Sequence, residues 1–257
     1  MGVVMPVLAV NVLGPFQVEV EGRPVPLAAG RLRTLLVGLA MSAGRMVSVH
    51  QLTEIVWGDK PPVDPRRSLQ TYAARLRGAL GTPTLETHPT GLRLRADPQD
   101  VDALRFVRLL EDAARTTDSG SERAQLAEAL SLWRGEPLED VSSDRLRRTE
   151  YPRLVERYLT GFERLIDIDI RNGAHESLTA ELEHLTARYP LRESLWARLL
   201  VVLDRRGRPA EAVQRYEDVR RRIADELGTD PSPELQRLHA KLLARGHRNR
   251  PASVIRG

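Results

Sequence analysis

Residues 64–80, DPRRSLQTYAARLRGAL, constrain the chain more than any other stretch, because the two faces of the helix they form need different surroundings. Leu69, Tyr72, Ala73, Leu76 and Leu80 recur at helical spacing and gather on one side, so that side requires a core. Arg67, Thr71 and Arg75 fall on the other side at i, i+4 and i+8. Asp64 suits the N-cap, and Pro65 suits the first helical position, where its missing N–H costs nothing. The helix is therefore bounded, anchored by leucine, and turns arginines, a threonine and Gln70 outwards. Taken alone, that face fits a solvated charged surface as well as it fits a helix lying in a DNA groove. Its neighbours have to decide.

A chain of 257 residues has room for two ordinary domains, each with its own core. Cysteine is absent, which excludes disulfides, thiolate metal sites and cysteine nucleophiles, and fits a reducing cytosol. No apolar run approaches the roughly 20 residues needed to span a bilayer, and the N-terminus lacks a charged segment followed by a signal-like core. The expectation is a cytoplasmic, nucleoid-associated protein with no membrane partner. Net charge is only +4, but residues 1–96 hold 11 Arg/Lys against 6 Asp/Glu, so the basic excess lies in the first third. Only Lys60 and Lys241 are lysine, a bias that GC-rich coding produces as readily as any need for guanidinium chemistry.

The segments around the basic helix narrow its role. Residues 5–27 read as short strands broken at Gly14-Pro15 and at a turn over Glu21-Gly22-Arg23, with Phe16, Val18 and Val20 alternating against Gln17, Glu19 and Glu21. From Arg31 the period changes: Leu32, Leu35, Leu36, Leu39 and Ala43 mark a first helix that Gly44 terminates. Ser48 and Gln51 make a capping box for a short second helix with Leu52, Ile55 and Val56 on its apolar side, ending at Trp57-Gly58. The paired prolines of GDKPPV, residues 58–63, forbid helix and deliver the chain into the basic helix. After Gly81, TPTLETHPTGLRLRA reads as two strands around His88-Pro89-Thr90-Gly91, with the glycine where a positive φ is expected, Leu92 and Leu94 inward, and Arg93 and Arg95 outward. A sheet, three helices and a hairpin with arginine near its tip make a winged helix-turn-helix, in which the third helix enters the major groove and the wing reaches the minor groove or backbone.

At Asp97-Pro98 the character changes to nearly continuous helix. The expected helices are 101–114 and, after a polar break TTDSGS at 116–121, 122–134 and 144–171. Arg171-Asn172-Gly173 then aligns with Arg205-Arg206-Gly207 at an offset of 34 residues, and with them Ile166 with Leu200, Ile168 with Val202, Leu182 with Tyr216, and Leu185 with Val219. That offset is the tetratricopeptide period, two antiparallel helices with a small residue at the turn. Residues 232–244 close the stack, and 246–257 are expected to be a disordered basic tail. The fold class is thus α+β for a DNA-binding domain over residues 1–96, followed by an all-α tetratricopeptide-like domain over 97–245.

No reaction centre is legible. There is no G-x-x-x-x-G-K-[ST], and His175-Glu176 begins H-E-x-x-H only for Thr179 to occupy the second histidine position. Asp167 and Asp169, two apart on a helix, point in different directions. The six histidines show no metal-ligand spacing, so neither enzymatic activity nor a cofactor is expected. Trp57, Trp133 and Trp196 read as core or domain-contact residues rather than base-stacking platforms, because aromatics total only 4% and are not interleaved with arginine. The basic constellation is Arg66, Arg67, Arg75, Arg77, Arg93 and Arg95, with Gln70, Thr71, Ala74 and Arg75 on the exposed face able to read base edges.

The order and wording of these pieces resemble the Streptomyces antibiotic regulatory protein family, an OmpR-like winged helix joined to a bacterial transcriptional activation domain. The resemblance runs from VLGPFQV through LTEIVWGDKPP, SLQTYAARLRGALG and TGLRLR to LSLWRGEPL, RNGAHESLTAELEHLTARYPLRESLW and RRGRPAEAVQRYEDVRRRIADELGTDPSPELQRL. It implies an activator of an antibiotic or other secondary-metabolite gene cluster. Such an activator binds direct repeats of double-stranded DNA near the promoter −35 region, as side-by-side protomers, and recruits RNA polymerase through the sigma factor. It also implies recognition-helix contacts at Arg67, Gln70, Thr71, Arg75 and Arg77, wing contacts at Thr90 and Arg93, and a polymerase-facing loop of Gly58, Asp59, Lys60, Pro61, Pro62 and Val63. Two positions depart from the pattern: the first helix opens AAGRLR where relatives tend to carry lysine or glutamine beside the arginine, and Leu92 replaces an aromatic in the wing. The residues alone leave two other readings open, a helical adaptor whose repeat surface binds a peptide and a ligand-sensing repressor.

Overall fold

The computed structural model describes residues 7–28, 30–174 and 178–248. The alternating N-terminal runs pair as an antiparallel meander of β1 (Leu8–Asn11), β2 (Gln17–Val20) and β3 (Arg23–Pro24). Leu8, Val10 and Val18 turn into the core. Glu21 and Gly22, at φ of 50° and 70°, make the tight link from β2 to β3, the left-handed turn geometry that matches strand twist.

Next come α1 (Gly30–Ala40), β4 (Met46–Ser48), α2 (Val49–Trp57), α3 (Pro65–Leu80), β5 (Leu85–His88) and β6 (Gly91–Leu94). α1 stops at Ala40, short of Ala43, because the chain tightens into a turn that ends at Gly44, whose φ is 74° and whose N–H donates to Leu94 O at 3.0 Å. The capping box on α2 forms in both directions: Ser48 Oγ accepts from Gln51 N at 3.2 Å and Gln51 Oε1 accepts from Ser48 N at 3.1 Å. Strand β4 is not anticipated by the sequence, since three residues are too few to show a period of two. It completes a sheet in the order β4-β6-β5, so the wing is anchored on both edges of β6.

Gly91 is needed for a different reason from the one its sequence suggests. It is not among the positive-φ residues; a Cβ built there would lie 2.0 Å from Val47 O, so β4 can pair with β6 only if position 91 has no side chain.

The helices that follow are α4 (Asp102–Arg115), α5 (Ser119–Ser131) and α6 (Asp144–Arg171). α5 begins inside the expected polar break because Asp118 caps it, accepting from Ser121 N at 2.7 Å. Between α5 and α6 the chain returns to the first sheet: Arg134 N donates to Leu13 O at 2.7 Å and Leu138 N to Val12 O at 2.8 Å. Asp102 is buried there and accepts from Val12 N, Leu13 N and Ala103 N at 2.7 to 2.9 Å. Burial pushes its carboxyl pKa up, against the hydrogen bonds from Leu13, Val12 and Ala103 and the Arg134 charge, which pull it down. Ser143 Oγ donates to Ile55 O at 2.6 Å. One apolar core therefore runs from Leu8 to Leu154. By internal contacts the chain divides within α6, into residues 1–161 and 162–257, whereas the change in composition falls at Asp97-Pro98.

In the second unit α7 (Leu178–Arg188), α8 (Glu193–Arg205), α9 (Pro209–Leu227) and α10 (Pro233–Arg248) follow the last turns of α6. The 34-residue repeat is visible in its turns, with Gly173 and Gly207 at φ of 82° and 75°, and in its core, where Ile166, Leu200, Leu182, Tyr216, Leu185 and Val219 are all buried. Arg198 bridges to Asp167 at 2.6 Å, so that aspartate is an ion-pair partner between helices. α10 continues past Ala244, with Arg245 paired to Asp204 at 2.6 Å, so the helix takes in residues 246–248 of the expected tail. Residues 249–257 lie outside the described residues, as do His175 and Glu176.

Candidate nucleic-acid interface

α3 is fixed at both ends and along one side. Asp64 Oδ1 accepts from Arg67 N at 2.9 Å, Pro65 opens the helix, and Gly81 at φ 93° closes it. Leu69, Ala73, Leu76 and Leu80 are buried. Each leucine contributes about 1.5–3 kcal/mol by leaving water, more than any exposed polar contact on the helix, so the outer face is free to be chosen for another purpose. That outer face is Arg66, Arg67, Gln70, Thr71, Ala74 and Arg75, all exposed. Thr71 Oγ1 donates to Arg67 O at 3.0 Å, which leaves its oxygen as an acceptor.

Arg75 has a support that the sequence reading did not find. Its guanidinium carbon lies 6.0 Å from the Tyr72 ring centroid, and Tyr72 stacks on Trp57 with centroids 5.9 Å apart and planes at 27°. A cation over an exposed aromatic face gains about 0.5–1 kcal/mol, enough to bias the side chain without immobilising it. The i, i+3 spacing of Tyr72 and Arg75 was the available signal; the partner Trp57, on α2, lies beyond the reach of periodicity.

The wing arginines are held differently. Arg93 Nε donates to Glu86 Oε2 at 2.6 Å, and Arg95 is ion-paired to the same carboxylate. Arg77 is half-buried and directs Nε to Leu85 O at 3.0 Å and Nη2 to Thr87 Oγ1, tying the end of α3 to β5. Of the nine expected contact residues, Arg77 thus stands apart from the exposed stripe, and Arg93 stands in a pair. Thr90 is exposed at the turn, its Oγ1 2.8 Å from His88 Nδ1. Arg66 and Gln70 line, with His88 and Pro89, a cleft of about 310 Å³ between α3 and the wing turn.

The loop between α2 and α3 begins at Gly58, whose φ is 56° and whose N–H donates to Glu54 O at 3.0 Å. Asp59, Lys60 and Pro61 are exposed, Pro62 is half-buried, and Val63 is fully exposed, an apolar side chain with nothing of its own unit over it. Among the described residues no helix is long and apolar enough to cross a membrane.

A helix-turn-helix whose third helix presents a free basic and amide face, with a wing beside it and tetratricopeptide-like helices after it, is the architecture of a winged-helix transcriptional regulator. The bacterial transcriptional activator domain family matches residues 101–243. The chain is 35% identical over 250 residues to the regulatory protein DnrI of Streptomyces peucetius, covering 92% of each. It is 37% identical over 245 residues to the transcriptional regulator RedD of Streptomyces coelicolor, covering 91% of this chain and 70% of that one. Among solved structures, Mycobacterium tuberculosis EmbR in complex with a low affinity phosphopeptide superposes with a TM-score of 0.84 at 29% identity, covering 93% of this chain and 66% of that one, just under two thirds of its length. The chain belongs to the Streptomyces antibiotic regulatory protein family of transcriptional activators.

Proposed function

We propose that the chain is a cytoplasmic, sequence-specific DNA-binding activator of a secondary-metabolite gene cluster, and that it binds direct repeats near a promoter −35 region and recruits RNA polymerase. The observation that carries this reading is the exposed stripe Arg66, Arg67, Gln70, Thr71, Ala74 and Arg75 beside the wing turn. In this reading α3 lies in the major groove. Arg67 and Arg75 supply charge and bidentate donors, Gln70 and Thr71 hydrogen-bond base edges, and Ala74 packs against a thymine methyl. Arg66 meets phosphate from the start of the helix, and Thr90 with Arg93 meets the backbone or minor groove from the wing. Arg77 acts through the wing, by holding β5 against α3.

Residues 1–96 form the DNA-binding domain and 97–245 the activation domain, and two protomers sit side by side on the repeats. Gly58, Asp59, Lys60, Pro61, Pro62 and Val63 face polymerase and its sigma factor; the fully exposed Val63 supports that assignment, since an apolar side chain left in water gains by being covered. DNase footprinting of the full chain on the promoters beside its own gene tests the reading. Two protected repeats spaced by one helical turn, about 10–10.5 bp, or a multiple, are expected. Uniform, sequence-independent protection, or none, overturns it.

A further inference from the structure

The first unit contains a second concave site, away from the stripe on α3. A cleft of about 660 Å³ opens between the helix-turn-helix and the helices that follow it. One wall is Met41, from the turn after α1, with Met46 and Val47 of β4 and Ile55 of α2; the other is Leu104 and Val107 of α4 with Leu146 and Leu154 of α6. Met41, Leu104 and Val107 are only partly buried, and Met46 is 41% exposed at the mouth. The cleft is open to solvent, and a volume of this size suits a small organic ligand. Filling it would remove facing apolar surfaces from water.

The rim gives the cleft a sign. Arg45, Arg145, Arg153 and Arg157 line it. Arg145 is paired with Glu54, Arg153 with Glu150 at 3.7 Å, and Arg157 with Glu111 at 3.3 Å. Arg45 is exposed, and its side chain has neither ion pair nor hydrogen bond among the described residues. Four cations against three carboxylates leave one positive charge unmatched, at the lip of a slot whose facing walls are apolar and whose rim is polar.

We infer that this cleft binds a small molecule with a flat apolar body and a single acidic group, the body between Met41 and Leu104 and the acid at Arg45. The inference is independent of what α3 contacts. An occupant touches β4 and α2 on one side and α4 and α6 on the other, so it lies where the wing sheet and the helices that follow it meet.

Titration of the full chain with 1-anilinonaphthalene-8-sulfonate, an apolar aromatic carrying one sulfonate, tests the site against its neutral counterpart N-phenyl-1-naphthylamine. Saturable, blue-shifted fluorescence at one dye per chain is expected. Thr149→Trp, at an exposed position lining the cleft on α6, should weaken both dyes more than about tenfold, a loss equivalent to the burial of a few methylene groups. Arg45→Ala should weaken the sulfonate about two- to fivefold, the range of an exposed ion pair, and leave the neutral dye unchanged. Melting curves show which variants are folded, and Arg45→Ala touches no core residue. Binding that never saturates, or that survives Thr149→Trp in a folded protein, overturns the site. Equal affinity of Arg45→Ala and the parent chain for the sulfonate overturns the assignment of the acidic group.

Discussion

Helix α3 and the wing hairpin both carry arginine, and they hold it in opposite ways. On α3, Arg66 and Arg67 make no ion pair among the described residues, and Arg75 lies over the face of Tyr72. On the wing, Glu86 engages Arg93 and Arg95 together, while Arg77 reaches across from α3 to Leu85 and Thr87. The charge available to a phosphate is therefore not the charge counted in the sequence. Pairing also differs in kind within the wing. The ion pairs of Glu86 are partly solvated, with the arginine side chains 42% and 47% exposed, and such pairs contribute about 0–1 kcal/mol, so an external anion can compete for them. Arg77 closes a half-buried hydrogen bond to a strand carbonyl, and moving it would loosen the wing itself.

Removing the platform that both regions share should have the largest effect. Leu76 is fully buried beneath the exposed stripe. Leu76→Ala should lower stability by about 2–5 kcal/mol, read as a drop in the urea midpoint. It should also abolish DNA binding at temperatures where the parent chain binds. The next effect separates the two regions directly. Arg75→Ala should cost roughly 1–3 kcal/mol in specific DNA affinity and relax base preference at one position of the repeat, as measured by gel shift across single-base variants, with the melting temperature unchanged. Arg93→Ala in the same assay should weaken all sequences alike. If the two substitutions behave identically, the distinction between a reading helix and a positioning wing is lost.

Much of this was legible in the sequence because it rests on local chemistry. Asp64, Pro65 and Gly81 mark α3 to the residue, and Ser48 with Gln51 marks the start of α2. The 34-residue offset foretells the turns at Gly173 and Gly207. The nonlocal features were not legible. β4 is too short to show its period, and Gly91 reads as a turn glycine although the contact that demands it, Val47 O, is more than forty positions earlier in the chain. The return of residues 134–138 to Val12 and Leu13, just past β1, and the burial of Asp102 under the same two residues depend on partners about 90 to 125 residues apart. The same holds in the interface: the six exposed residues of α3 follow from periodicity, whereas the stacking of Trp57 on Tyr72 follows only from the packing of α2 on α3, and the capture of two arginines by Glu86 only from strand register, in which Glu86 stands opposite Arg93.

Glu86 is accordingly the residue on which the comparison can be tested most finely. Glu86→Gln keeps the shape and one acceptor but removes the charge that neutralises Arg93 and Arg95. If those arginines lie within reach of phosphate, releasing them adds one or two contacts, and each contact steepens the dependence of log K on log salt by about 0.9. The variant should bind nonspecific duplex severalfold more tightly at low salt, with a steeper salt slope and little change in melting temperature. Specific and nonspecific DNA should gain alike, because phosphate contacts carry no sequence information. Adding Arg93→Ala to Glu86→Gln should return part of the slope. An unchanged slope would mean that the wing arginines face away from the duplex even when free, leaving α3 as the whole of the basic contact surface and the hydroxyl of Thr90 as the contact at the wing tip.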